Sequence, residues 1–259
     1  MIIALIQMRV SPDKSHNLRR AETLVKESAA NGADLVILPE MFCCEYHDSA
    51  FIENSESVGG LIWQTLSKVA AENAAWLIGG SMPETDGGLT HNTSFVFDRA
   101  GKQVAFHRKL HLFDIDVKGG QHFRESHTFS AGDDITVFDT EFGRMGLCVC
   151  FDIRFPELSR LMALEGAGVI ICPASFNMTT GPAHWELMFR ARAVENQVFT
   201  VGCASAREET GPYVSYGNSI VVTPWGDVQA RAGAEETILY TELDLSLVEK
   251  IRRELPLLS

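Results

Sequence analysis

The sequence has no run of about 18 apolar residues, the minimum for a membrane-spanning helix. Its apolar start, Met1-Ile2-Ile3-Ala4-Leu5-Ile6-Gln7, is too short for a secretory signal and has no basic segment ahead of it, so it reads as a buried strand. Basic residues are scarce, 22 against 34 acidic ones, and the net charge of −12 is unsuited to gripping phosphate backbones. Neither a nucleic acid nor a membrane is an expected partner. No Ser/Pro-rich linker, low-complexity tract, charge block or internal repeat divides the chain, which predicts one domain over residues 1–259. The six cysteines, at positions 43, 44, 148, 150, 172 and 203, lie mostly inside apolar segments and are not spaced as loop staples. Reduced thiols in the cytoplasm are therefore expected.

What is present is an alternation of strands and helices. Strands are predicted at Ile2 to Gln7, Leu35 to Leu38, Trp76 to Gly79, near 93–97 and 103–108, Ile135 to Phe138, Arg144 to Val149, Val169 to Cys172, Val198 to Cys203, 218–223 and 237–242. Helices are predicted at Asn17 to Ala30, Leu61 to Asn73, Glu157 to Ala167 and His184 to Asn196, with one more at the end. This is an α/β layered pattern, and periodicity does not choose between a Rossmann-like sheet and two stacked sheets.

One stretch carries chemistry. In Gly-Leu-Cys-Val-Cys-Phe-Asp-Ile-Arg-Phe-Pro-Glu, Gly146 to Glu157, an apolar strand turns into a polar segment at Cys150. Such a turn exposes a side chain and aims backbone N–H groups at developing charge, which suits a nucleophile. A bare cysteine is more often a small, inert core residue. The flanking residues decide otherwise, because Cys-Phe-Asp-x-Arg-Phe-Pro-Glu resembles the nucleophile segment of the nitrilase superfamily, the carbon–nitrogen hydrolases. The family's glutamate is then Glu40, after Ala33-Asp34-Leu35-Val36-Ile37-Leu38-Pro39, and its lysine Lys109, in His107-Arg108-Lys109-Leu110-His111.

Each of the three follows a strand-like segment, so all could meet at one edge of a sheet arrangement. Glu40 would take the thiol proton, Cys150 would attack a C–N carbonyl, and Lys109 with the backbone N–H of Phe151 would hold the oxyanion. The resemblance implies a fourth residue, Glu125, supporting the lysine and the substrate. It also implies an α-β-β-α sandwich, no cofactor or metal, a small-molecule amide substrate and a homodimer or higher homo-oligomer. Relatives commonly continue past the Leu-Pro region with an Arg-x-Asp-x-Tyr-like motif, which is absent after Pro256.

Within the superfamily, Phe176-Asn177-Met178-Thr179-Thr180-Gly181-Pro182-Ala183-His184-Trp185-Glu186 resembles omega-amidases, which release ammonia from alpha-ketoglutaramate and alpha-ketosuccinamate. His111-Leu112-Phe113-Asp114-Ile115-Asp116 is shared with deaminated-glutathione amidases and keeps that alternative open. Arg154, with its planar fork, and Thr180 are expected at the substrate carboxylate, with Tyr46 and Phe176 lining the pocket. A structural ion pair of Arg154 with Glu157 or Asp152, and a loop-capping Thr180 hydroxyl, are the plainer expectations. Glu45 stands where omega-amidases tend to have proline; facing the pocket it would repel a dianion, so it is expected to face solvent.

Three other readings compete. A metal hydrolase would use His107, His111, Cys150 and Glu40, but i, i+4 histidines share a face only on a helix, and this segment reads as strand and loop. A papain-like thiol hydrolase would pair Cys150 with His184, which is expected at a helix start instead. A non-catalytic binding protein on the same fold would need a damaged triad. Cys148 is expected to pack rather than pair in a disulfide.

Overall fold

Short, uniformly apolar strands need both faces covered. The computed structural model, which describes residues 1–210 and 213–258, covers them by stacking two sheets between pairs of helices. The first sheet runs Thr237–Glu242, Ile2–Gln7, Leu35–Ile37, Trp76–Ile78, Leu89–Phe97, Met82–Asp86, with Gln103–Arg108 also paired to Leu89–Phe97. The second runs Val228–Arg231, Ile220–Val222, Phe199–Ala204, Val169–Ala174, Gly143–Leu147, Thr136–Thr140.

The two-residue period of a strand sends alternate side chains to opposite faces. Ile3, Leu5, Leu35 and Ile37 of the first sheet meet Met145, Leu147, Val169 and Ile171 of the second in the central core. The residues between them, Ala4, Ile6, Val36 and Leu38, turn outward onto helices Lys14–Ala30 and Leu61–Asn73. On the far side Cys148, Ile170 and Cys172 turn onto helices Pro156–Leu164 and Gly181–Asn196. The result is the four-layer α-β-β-α sandwich, and the periodicity that could not separate it from a Rossmann-like sheet is settled by the second sheet.

Strand direction places the candidate residues. Leu35–Ile37 is parallel to both of its neighbours, and Gln103–Arg108 is reached through two antiparallel pairings, so it points the same way. Glu40 and Lys109 therefore leave the first sheet at one end. Gly143–Leu147, Val169–Ala174 and Phe199–Ala204 are mutually parallel, so Cys150, Ser175 and Ser205 lie beyond the carboxyl ends of their strands. Ligands gather at such ends in α/β folds.

Several elements escaped the periodicity. Met82–Asp86 carries Pro83 and two acids, and proline is tolerated in it because it is an edge strand. The hairpin of Asp114–Asp116 with His122–Arg124 is too polar to read as strand. Helix Asp48–Asn54 is capped by the His47 ring, which accepts from the Ala50 N–H, in place of the usual Ser, Thr, Asp or Asn. Val228–Arg231 was missed for its exposure. Helix Lys14–Ala30 starts three residues before its expected Asn17, because Asp13 caps it.

Candidate active site

Cys150 opens a 3-10 turn, Cys150–Arg154, with φ of +48°. Left-handed backbone costs a non-glycine residue about 1–2 kcal/mol, and the turn is held against that cost from both ends. Asp152 accepts the Val149 N–H at 3.0 Å, while the buried Arg192 donates to the carbonyls of Ile153 and Arg154, each at 2.8 Å. A second left-handed residue, Met41 with φ of +51°, follows Glu40. Strain of this kind collects where geometry serves function.

Under the thiol lies a buried cluster of charge. Lys109 Nζ is 2.9 Å from Glu40 Oε1 and 2.8 Å from Glu125 Oε2, with all three side chains fully shielded. Asn92 Nδ2 donates to Oε1 of both glutamates, 2.9 Å each, and Tyr46 OH lies 3.3 Å from Glu40 Oε1. Glu125, which the resemblance set beside the lysine, sits in a short 3-10 turn and also accepts the Phe113 N–H at 2.6 Å.

The electrostatics follow from burial and neighbours. Burial alone would lower the Lys109 ammonium, but Glu125 and Glu40 outweigh it and hold the lysine charged well above its ordinary range. Burial raises the Glu125 carboxyl, Lys109 opposes this, and Glu40 adds to it. Burial and the Glu40 charge push the Cys150 thiol well above its ordinary range despite Lys109, so the resting sulfur is protonated at neutral pH. Among the described residues, Glu40 Oε2 is buried with no hydrogen-bond partner. One oxygen of Glu40 is thus fixed by Lys109, Asn92 and Tyr46 while the other is unengaged. That arrangement can accept a proton.

A cavity of about 50 Å³ adjoins the cluster, lined among others by Glu40, Tyr46, Ser175 and Tyr213. It has room for only a few waters. Arg154 forms no ion pair with Glu157 or Asp152. It donates to Nδ1 of His184 at 3.0 Å and lies over the rings of Phe176 and Phe151, 4.5 and 5.4 Å from their centroids. Burial lowers its guanidinium from the usual range, and its Nε has no partner among the described residues. A half-desolvated guanidinium without a carboxylate partner can accept one in a bidentate pair.

Thr180 is nearly buried, and its hydroxyl donates to Asn177 Oδ1 at 3.1 Å, so its proton serves the loop. Glu45 departs from expectation. Its side chain is only 23% exposed, lies in the lining of the cavity and sits 3.5 Å from His47 Nε2 instead of facing solvent. His107 and His111 both turn onto Asp152, away from any shared site with Cys150 and Glu40. His184 stands in the first turn of its helix and faces Arg154, not the sulfur. Cys148 is free and buried beside Cys172. The sequence reading missed Asn92, a mid-strand residue whose neighbours Thr93 and Ser94 are equally polar, and Tyr213, whose hydroxyl donates to the Ser175 carbonyl. The sequence carried no clear signal for Asn92; the structure buries every residue from Asn92 to Phe97.

A four-layer sandwich that brings a strained cysteine over a buried Glu–Lys–Glu cluster defines a thiol-bearing hydrolase scaffold. The carbon-nitrogen hydrolase model matches residues 2–253, and the chain belongs to that family. It is an amidase, a hydrolase of carbon–nitrogen bonds other than peptide bonds, acting on small-molecule amides, and within the nitrilase superfamily it resembles omega-amidases. A mouse protein named omega-amidase NIT2 is 48% identical over 256 residues, covering 99% of this chain and 93% of its own. The crystal structure of Saccharomyces cerevisiae Nit3, described as a member of branch 10 of the superfamily, superposes with TM-score 0.92 at 40% identity, covering 100% and 95% of the two chains. A variant of the amidase from Nesterenkonia sp. AN1, described with acrylamide added at its active-site cysteine, gives TM-score 0.82 at 27% identity, covering 98% of each. No helix among the described residues is long and apolar enough to cross a membrane.

Proposed function

We propose that the chain hydrolyses the terminal amide of small carboxylate-bearing amides, alpha-ketoglutaramate and alpha-ketosuccinamate in particular, through a thioester on Cys150. The observation that carries this reading is the division of labour at Glu40: one oxygen pinned by Lys109, Asn92 and Tyr46, the other unpaired, with the carboxylate close enough to act electrostatically on the Cys150 thiol. In the first half-reaction Glu40 takes the thiol proton as sulfur attacks the amide carbon. The oxyanion forms against Lys109 and the Phe151 N–H. The intermediate then expels ammonia, which takes its proton from Glu40. In the second half, Glu40 deprotonates a water that attacks the thioester, and the departing thiolate recovers the proton. Glu125 acts through Lys109, keeping it charged.

Substrate choice rests on Arg154, which supplies a fork for the carboxylate at the far end of the substrate; Thr180 would add a donor only by turning from Asn177. Glu45 in the cavity lining favours a singly charged amide over a dianion. Alpha-ketoglutaramate has one carboxylate and deaminated glutathione two, so Glu45 repels both and the former less. Six free, buried thiols fit a cytoplasmic enzyme. Leu187, Val194 and Trp225, 58%, 43% and 58% exposed around one groove, supply an apolar face suited to a second copy.

The test compares ammonia release from alpha-ketoglutaramate, deaminated glutathione and propionamide by the wild type and Arg154→Lys. The lysine keeps the charge and loses the planar fork, so KM for alpha-ketoglutaramate should rise by about tenfold while propionamide, which has nothing for it to hold, is unaffected. Equal kcat/KM for propionamide and alpha-ketoglutaramate in the wild type, or preference for deaminated glutathione, would remove the omega-amide reading.

A further inference from the structure

Asp152 is fully buried, and its carboxylate collects four hydrogen bonds from two separate segments of chain. From the segment beyond Gln103–Arg108 come His111 N–H and His111 Nδ1, each at 2.8 Å to Oδ1, and from its last turn of strand His107 Nε2 at 3.0 Å to Oδ2. From the nucleophile turn comes Val149 N–H at 3.0 Å to Oδ2. The two histidines flank Lys109 by two residues on either side, and Val149 immediately precedes Cys150. Lys109 belongs to one sheet and Cys150 to the other. Besides packing across the layers, Thr136 of the second sheet bonds His107 Nδ1 and the Phe106 carbonyl, each at 3.0 Å, but neither bond reaches the nucleophile turn.

We infer that Asp152 is a positioning residue for the amidase reaction, fastening the lysine segment to the nucleophile turn so that Lys109 and the Phe151 N–H converge on one oxyanion. This rests on the proposed roles of Cys150 and Lys109. Four donors, two of them imidazoles, make the site fit for a carboxylate and poor for any neutral replacement. Burial would raise the carboxyl, but the bonds from His107 and His111 overcome it and hold it well below the usual carboxylate range. Arg192 secures the other end of the same turn, so the loss of Asp152 frees the turn's start without releasing its end.

Asp152→Asn keeps the acceptor for His111 but sets an amide N–H₂ against the Val149 N–H and His107. Oxyanion geometry should suffer as the start of the turn shifts against Lys109, while the sulfur keeps its intrinsic reactivity and Glu40 keeps its own partners. The expected result is kcat for ammonia release lower by about 100-fold, the cost of a displacement near 1 Å. KM should stay within about threefold, because substrate binding is not engaged. Alkylation of Cys150 by iodoacetamide needs no oxyanion hole and should proceed within about threefold of the wild-type rate.

His111→Phe keeps the ring stacked on Phe155, 3.6 Å between centroids, and the backbone bond to Asp152. It should give the same pattern at about tenfold, and it carries the test if Asp152→Asn fails to fold by near-ultraviolet circular dichroism. Wild-type kcat in the folded variants, or alkylation falling in step with kcat, would overturn the inference. Cys150→Ala in the same assay separates the two levels: ammonia release by that variant would defeat the proposed function itself, whatever Asp152→Asn does.

Discussion

Cys150→Ala is expected to release no measurable ammonia from any amide, and Cys148→Ala to retain most of the wild-type rate. Loss of a nucleophile that works in a coupled set removes on the order of 10⁶ in kcat. The two thiols are two residues apart but lie in different surroundings. Cys150 is at the left-handed start of the turn, within the field of Glu40 and Lys109, whereas Cys148 packs among the residues that face helices Pro156–Leu164 and Gly181–Asn196. Trimming Cys148 removes one sulfur from a core and should cost about 1 kcal/mol of stability.

Trapping with a slow amide followed by mass spectrometry should place the acyl adduct on Cys150; an adduct on Cys148 would reverse the assignment. The pH dependence adds a second check. Because burial and Glu40 hold the thiol above its ordinary range, the inflection for iodoacetamide labelling should fall above 9.0, the ordinary thiol value. An inflection below it would mean that Lys109, not Glu40, dominates the sulfur.

The residues proposed to carry the chemistry were legible because each follows a strand with a recognisable string: Leu-Pro-Glu for Glu40, Arg-Lys-Leu-His for Lys109, Cys-Phe-Asp for Cys150. The layers were legible as an alternation, but the number of sheets was not, since a strand buried on both faces reads the same in either architecture. Asn92 was hidden for a similar reason. Within Leu89–Phe97 it is one of five consecutive polar residues, Thr90 to Ser94, and only the register that sets it beside Lys109, whose N–H donates to the Asn92 carbonyl at 2.9 Å, shows that its side chain joins two carboxylates. Glu45 was misjudged in its surroundings, and the plainer ion-pair reading of Arg154 does not hold. Nearby acids in the sequence suggested an ion pair for Arg154, but Asp152 was already committed to two histidines. Glu45 was expected to face water because in the pocket it would repel a dianion, and His47 two residues on supplies a polar neighbour that lets it line the cavity.

Lys109→Ala removes the one cation bonded to both Glu40 and Glu125, and two effects should follow with different pH dependences. Loss of an oxyanion donor costs on the order of 3 kcal/mol in the transition state, equivalent to about 10²-fold or more in kcat. The second effect is on the carboxyl groups. Lys109 is what opposes burial at Glu125, and without it two carboxylates share a dry site joined by Asn92, so at least one must take up a proton. A carboxyl whose folded pKa is raised above the unfolded value binds more protons in the folded state, so stability falls as pH rises between the two values. The deficit of Lys109→Ala relative to wild type in urea unfolding should therefore be smaller at pH 5 than at pH 8. It should approach the roughly 3–5 kcal/mol of a broken buried ion pair only at the higher pH. Activity should fall at every pH. A Lys109→Ala enzyme with near-normal kcat would remove the lysine from the reaction, and a stability deficit independent of pH would mean that Glu40 and Glu125 do not share a charge balance with it.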